Sequence, residues 1–233
     1  MLLNSQGYEV IDAWLKAKKK SPFIFQQQSW QAIVNGQSGL VNAPTGCGKT
    51  YSVFLGALID FINRHPKDYT SQSKNGLQLL WITPLRALAK DIGRALEEVI
   101  TELGRSWKVG IRNGDTNTSE RQKQKRQMPE VLIITPESLH LLLAQKEYAT
   151  TFQSLKIIAV DEWHELLGSK RGVQVELASS RIAGSRESRV QTTTMTDSRL
   201  TTYDYRLSIW GISATIGNLD EAKDVLLAPL KQK

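Results

Sequence analysis

A chain of 233 residues with 40% hydrophobic and 23% charged content is long enough for one sizeable core and has the composition of an ordinary soluble globular domain. Its single cysteine, Cys47, excludes an intramolecular disulfide and a cysteine-based zinc site, and no apolar run reaches the length of a membrane span. The basic runs behind the net charge of +7 read alone as solvated helix faces and point to a polyanionic partner only when joined to a phosphate-binding site. Because "MLLNSQGYEV" lacks a signal-peptide pattern, a cytoplasmic location with no membrane partner is expected.

In chain order, residues 1–25 read as a helical lead-in ending in the basic cluster "KAKKK" before Pro22, and "FIFQQQSWQAIV" reads as a helix with a glutamine-rich face. Leu40 and Val41 end a buried strand, and "YSVFLGALIDFI" is an apolar helix. Residues 65–76 form a surface loop. Further strands are expected at 77–82, 107–111, 131–135, 155–160 and 207–213, with helices such as "PLRALAKDIGRALEEVITEL" and "PESLHLLLAQ" between them. Residues 105–130 carry seven Lys/Arg against three Asp/Glu, and 184–204, rich in Ser, Thr, Asp and Arg, read as a second surface loop. Apolar strands alternating with helices predict an α/β domain. Its mostly parallel sheet should be covered by helices on both faces, with ligands beyond the carboxyl ends of the strands.

Chemistry concentrates at two of those ends. After Val41 comes "NAPTGCGKT", in which the loop Thr45-Gly46-Cys47-Gly48 can turn backbone N–H groups toward an anion at a helix N-terminus. Lys49 is placed to reach terminal phosphates and the Thr50 hydroxyl to hold Mg2+, which makes the segment a P-loop with Ala43 where the first glycine usually stands. After "IIAV" come Asp161 and Glu162, suited to holding the magnesium ion through water and to polarising the water that attacks the γ-phosphate. ATP and Mg2+ are the expected cofactors, with Lys49, Asp161 and Glu162 catalytic and Thr50 and Asp161 on the metal.

The ordered set formed by the P-loop, "TPLRALAKD" (83–91), "TPESL" (135–139), "DEWH" (161–164) and "SATIGN" (213–218) resembles motifs I, Ia, Ib, II and III of the superfamily 2 helicases. The resemblance covers nearly the whole chain from Pro22 and implies a RecA-like P-loop NTPase domain over residues 26–233. Gln26 lies 23 positions before Lys49, the spacing of the family's Q motif, so it would read the adenine edge, with Phe23 or Phe25 against the base. His164, Ser213 and Thr215 would couple nucleotide state to movement. "DEWHELLGSKRG" and "GDTNTSERQ" are similar to the Lhr group, and the continuation after Trp163 to its ligase-associated DEXH-box branch. That branch implies an ATP-dependent DNA helicase or translocase in DNA repair, partnered by single-stranded DNA (RNA being left open) and by DNA-repair proteins such as a DNA ligase. Carried over residue by residue, Thr83, Arg86, Thr135 and Pro136 would contact the nucleic-acid backbone. Arg112, Asp115 and Thr116 match an R-x-G-D-T segment, and Lys170 and Arg171 a K-R-G segment. Motifs IV to VI lie outside these residues, so hydrolysis is expected to need a second RecA-like domain of the same full-length chain.

A different class of reading is a nucleic-acid-binding module whose nucleotide switches affinity without motor activity. A small-molecule phosphotransferase is a third, but it leaves "TPLRALAKD", "TPESL" and "SAT" without a role.

Overall fold

The computed structural model describes residues 2–44, 46–194, 206–214 and 216–230, with side chains from 187 to 194 left aside. The first helix, α1 (Gln6–Ala17), is capped by Ser5, whose side chain accepts from Tyr8 N. It is followed by α2 (Ile24–Val34), β1 (Gly39–Asn42) and α3 (Lys49–Arg64). Then come β2 (Leu79–Ile82), α4 (Arg86–Glu102), β3 (Val109–Arg112), α5 (Thr118–Arg126), β4 (Val131–Ile134), α6 (Pro136–Leu143) and α7 (Tyr148–Thr151). The remainder is β5 (Ile157–Val160), α8 (Trp163–Leu166), α9 (Lys170–Thr194), β6 (Ser208–Ser213) and α10 (Leu219–Leu227).

The six strands form one sheet in the order β1-β6-β5-β2-β4-β3, every pair parallel. Strands β2, β4 and β5 are buried throughout, because alternate residues feed two cores. Leu79, Trp81, Val131, Ile133, Ile157 and Ala159 pack with α1 to α4 on one face. Leu80, Ile82, Leu132, Ile134, Ile158 and Val160 pack with α6, α8, α9 and α10 on the other. Fully buried strands are what a parallel sheet with helices on both faces requires.

Two regions differ in extent from the sequence reading. The expected loop at 184–204 is helical as far as Thr194, with 195–204 outside the described residues. Val175, Ala178, Ser179, Ile182, Ala183 and Arg186 recur at helical spacing on the buried side, and this stripe carries the helix into the first residues of the expected loop. Buried Arg186 donates from Nη1 to the carbonyls of Phe152 and Gln153, which anchors that stripe. At the other end, α2 runs across residue 25, and Leu2, Ile11 and Leu15 of the lead-in share the core of α3.

Candidate nucleotide and nucleic-acid site

β1 delivers the P-loop to its carboxyl end. Gly46 and Gly48 adopt φ of 85° and 72°, a region that disfavours side chains. At Gly48 a Cβ would also come within 3.0 Å of Gln26 Nε2. Ala43 has no positive φ and is buried, with its N–H donating to Ser213 O at 3.3 Å, so alanine replaces the usual glycine without backbone strain. Lys49 begins α3, and its Nζ donates to Ala43 O at 2.8 Å, closing the loop on itself. Thr50 follows in the first turn, half-buried, and Thr45 lies outside the described residues.

Gln26 is buried and spans the cradle. Its Oε1 accepts from Phe23 N at 2.9 Å while Nε2 donates to Gly48 O at 2.9 Å. Beside it opens a cavity of about 370 Å³ lined by Trp14, Lys20, Phe23, Gln26, Tyr51 and the 46–48 loop. Its volume is in the range of small-molecule pockets. Phe23, 55% exposed, reaches this cavity, whereas Phe25 stacks behind it at 5.6 Å and packs toward the core. Trp14 and Tyr51, in edge contact at 6.2 Å, were not picked out from the sequence. Their only signals were an aromatic directly after the P-loop threonine and a tryptophan on an amphipathic lead-in. Cys47 lies in the same wall.

β5 delivers the carboxylates. Asp161 is 8% exposed; its N–H donates to Ile82 O at 2.8 Å, and its Oδ1 accepts from Glu162 N at 3.0 Å. Its Oδ2 accepts from the indole N–H of Trp81 at 3.4 Å. Burial, and secondarily Glu162, pushes the Asp161 carboxyl up to about 6, against the two hydrogen bonds and the nearby Lys49 ammonium, which pull it down. Lys49 is thus close enough to act on Asp161, so the two motifs converge. Glu162 sits in the left-handed region at φ 48°, a conformation that costs a non-glycine residue about 1 kcal/mol or more and clusters at functional sites. His164 Nδ1 lies 3.1 Å from Ser213 Oγ and 3.4 Å from Glu162 Oε2, so DEWH and "SAT" touch directly. Thr215 lies outside the described residues.

Candidate nucleic-acid residues gather over the other half of the sheet, at the ends of β2, β4 and β3. Arg86 pairs with Asp115 at 3.1 Å and lies over Gly114, where a Cβ would meet its Nη2 at 2.7 Å. Arg112 is 6% exposed, and burial, then Arg121, lowers its pKa. Arg121 donates to the Thr116 and Asn113 carbonyls, and Thr116 Oγ1 accepts from Asn113 N while donating to Ile111 O, so Thr116 shapes a turn. Thr83, Thr135 and Pro136 are buried, with the Thr135 hydroxyl on Ser138 Oγ. These three are therefore covered in this structure, and the expected backbone contacts are not offered by their side chains. Lys170 is exposed, and Arg171 donates to Glu137 at 2.7 Å and to Pro84 O at 3.3 Å, joining three of these loops.

The donor set fits a magnesium nucleotide. Among the described residues there is no cluster of three or more His, Cys, Asp or Glu that could hold a metal alone. One carboxylate and one threonine hydroxyl match an ion completed by water and substrate phosphates.

The ATP-dependent helicase Lhr-Core of Sulfolobus acidocaldarius is 33% identical over an alignment covering 97% of this chain and 25% of that protein. The Lhr helicase/uracil glycosylase of Escherichia coli is 34% identical, covering 72% of this chain and 12% of its own length. The chain thus spans about a quarter or less of these curated relatives. The solved structure of the Mycobacterium smegmatis helicase Lhr bound to ssDNA and AMP-PNP superposes with a TM-score of 0.73 at 31% identity, covering 95% of this chain and 26% of that one. The six-stranded parallel sheet with the P-loop after β1, superposing on that helicase structure, is a RecA-like helicase fold. Residues 24–222 match the DEAD/DEAH box helicase family, and the chain belongs to it.

Proposed function

We propose that this chain is the ATP-binding RecA-like domain of an ATP-dependent DNA helicase or translocase. The observation that carries the reading is the division of one sheet end. Lys49, Asp161 and Glu162 stand over β1, β6 and β5, while Arg86, Arg112 and Arg171 stand over β2, β4 and β3. Two ligands can be held side by side there, and the contact of His164 with Ser213 gives the nucleotide half a mechanical link. The P-loop amides and Lys49 would hold the phosphates, Gln26 and the adjoining cavity the base, and Thr50 and Asp161 the metal. Bound Mg2+ would neutralise charge on the phosphate oxygens. Glu162 would orient and polarise the attacking water. On the other half, cationic contacts would position a single strand without reading its sequence.

The solved Lhr structure bound to ssDNA supports a DNA strand as the ligand, and the proposal extends to a repair role with repair proteins such as a DNA ligase as partners. No helix among the described residues is long and apolar enough to cross a membrane. The test is ATP turnover by the full-length protein with and without single-stranded DNA. Stimulation that disappears in Glu162→Gln supports a motor. Turnover indifferent to DNA, with DNA affinity that changes with nucleotide, would replace it with the switch reading.

A further inference from the structure

The geometry points to Trp81 as a positioning residue for the metal-binding carboxylate: we infer that its indole N–H fixes the orientation of Asp161. The inference rests on the assignment of Asp161 to magnesium made above. Trp81 and Asp161 are 80 residues apart in sequence and meet because β2 and β5 are adjacent and parallel. In that register Trp81 faces Ala159, and residues 157, 159 and 161 point to the same side of the sheet as 79 and 81. The small side chain of Ala159 leaves room for the indole to run along the sheet toward Asp161.

The result is an aspartate held at three points, two of them on its carboxylate. Its backbone N–H is tied to Ile82 O of β2, Oδ1 is tied to Glu162 N, and Oδ2 is tied to Trp81 Nε1. Each oxygen accepts one hydrogen bond and keeps lone-pair capacity for a water on the metal. Trp81 is fully buried, so its N–H has no solvent alternative to Asp161. Packing alone calls for a large apolar ring at this site but not for a hydrogen-bond donor on it. The same strand continues into Thr83 and Pro84, and Pro84 O is held by Arg171. A shift of the loop that carries Arg86 would thus reach the metal carboxylate through a single strand.

The experiment measures binding of a fluorescent ATP analogue to the full chain as Mg2+ is titrated. Three variants are compared with wild type: Trp81→Phe, Trp107→Phe as a control for loss of a buried indole away from the site, and position 81 carrying benzothienylalanine. The last is isosteric with tryptophan but has sulfur in place of the N–H. Partners that orient metal ligands contribute about 10- to 100-fold to metal affinity, and a bond at the long end of the range belongs near the lower figure. The Mg2+ concentration for half-maximal binding should rise about tenfold in both position-81 proteins, with Mg2+-free nucleotide affinity and Trp107→Phe unchanged. A packing role would instead weaken binding with and without Mg2+ alike. Wild-type Mg2+ dependence in the benzothienyl protein overturns the inference even where Trp81→Phe fails to fold. Absence of Mg2+-dependent binding in wild type would instead defeat the nucleotide assignment itself.

Discussion

Replacing Asp161 by asparagine should make the ligand-free protein more stable while depriving it of magnesium. The carboxyl titrates at about 6 in the fold against an ordinary 3.8, because burial outweighs its hydrogen bonds. Between those values the folded chain holds a proton that the unfolded chain has released, so stability falls as pH rises through that window and is flat above it. At about 1.4 kcal/mol per unit, roughly two units make the ionised carboxylate cost about 3 kcal/mol at pH 7.5. Asparagine removes the charge but offers one acceptor where the carboxylate offered two, so either the Trp81 N–H or the Glu162 N–H is left facing the amide NH2, at a cost of about 1–2 kcal/mol. The net gain of about 1–2 kcal/mol should raise the melting temperature by roughly 2–8 °C for a chain of this size. Thermal unfolding at pH 4.5 and 7.5 without Mg2+ is the assay. The wild type should lose stability between the two relative to Asp161→Asn. Saturating Mg-nucleotide at about a hundred times its Kd should restore about 2.7 kcal/mol to the wild type and little to the variant. Equal pH responses of the two proteins, or a variant less stable than wild type at pH 7.5, would refute the reasoning.

Glu162→Gln should bind Mg-ATP with near wild-type affinity and lower the turnover of the full-length protein by about two orders of magnitude or more, as loss of general-base assistance does; retained turnover removes the residue from that role. Gln26→Ala should narrow the preference for ATP over GTP in a competition assay by more than it alters Mg2+ dependence, because alanine has neither the donor nor the acceptor for an adenine edge. Cys47 lines the cavity beside Gly46 and Gly48, so bound ATP should slow its alkylation, and equal rates with and without nucleotide would count against its place in the cradle. The 233-residue chain alone should hydrolyse ATP very slowly, since an arginine supplied from a second domain is worth about three to five orders of magnitude in rate. DNA-stimulated turnover at ordinary enzyme rates would show that it is catalytically complete.

Much of the architecture is readable from residue types because each strand is a short, doubly buried apolar run. The expected strand at 155–160 contains β5 at 157–160, and that at 207–213 contains β6 at 208–213. Strand ends are then where polar chemistry must sit, which is why Lys49, Asp161, Glu162 and Ser213 could be picked out before their neighbours were known. The helix through Thr194 escaped the reading for a physical reason. Ser, Thr and Arg signal a loop when local preference decides, and as far as Arg186 the buried stripe that starts at Val175 decides instead.

What stayed hidden shares one cause. A ligand-facing group is marked by its own chemistry and by its nearest residues in sequence, so a lysine after glycines or two acids after an apolar strand can be recognised alone. A group that holds such a residue in place is defined by which strands are neighbours and by their register, and neither is a local property. Trp81 looks like any core aromatic until β2 is known to lie against β5 with Ala159 opposite it. Trp14 looks like part of a lead-in until α1 is seen to pack on α3 and bring it to the wall of the cavity beside Gln26. The same dependence explains why Thr83 and Thr135 are buried while Arg86 remains exposed. The threonines are the first residues beyond fully enclosed strands and share their cover, whereas Arg86 begins a helix and projects past the sheet edge onto Gly114 and Asp115. Burial at these positions follows from the sheet order, and the sheet order also sets Lys49, Asp161 and Glu162 beside the arginines at the ends of β2, β4 and β3.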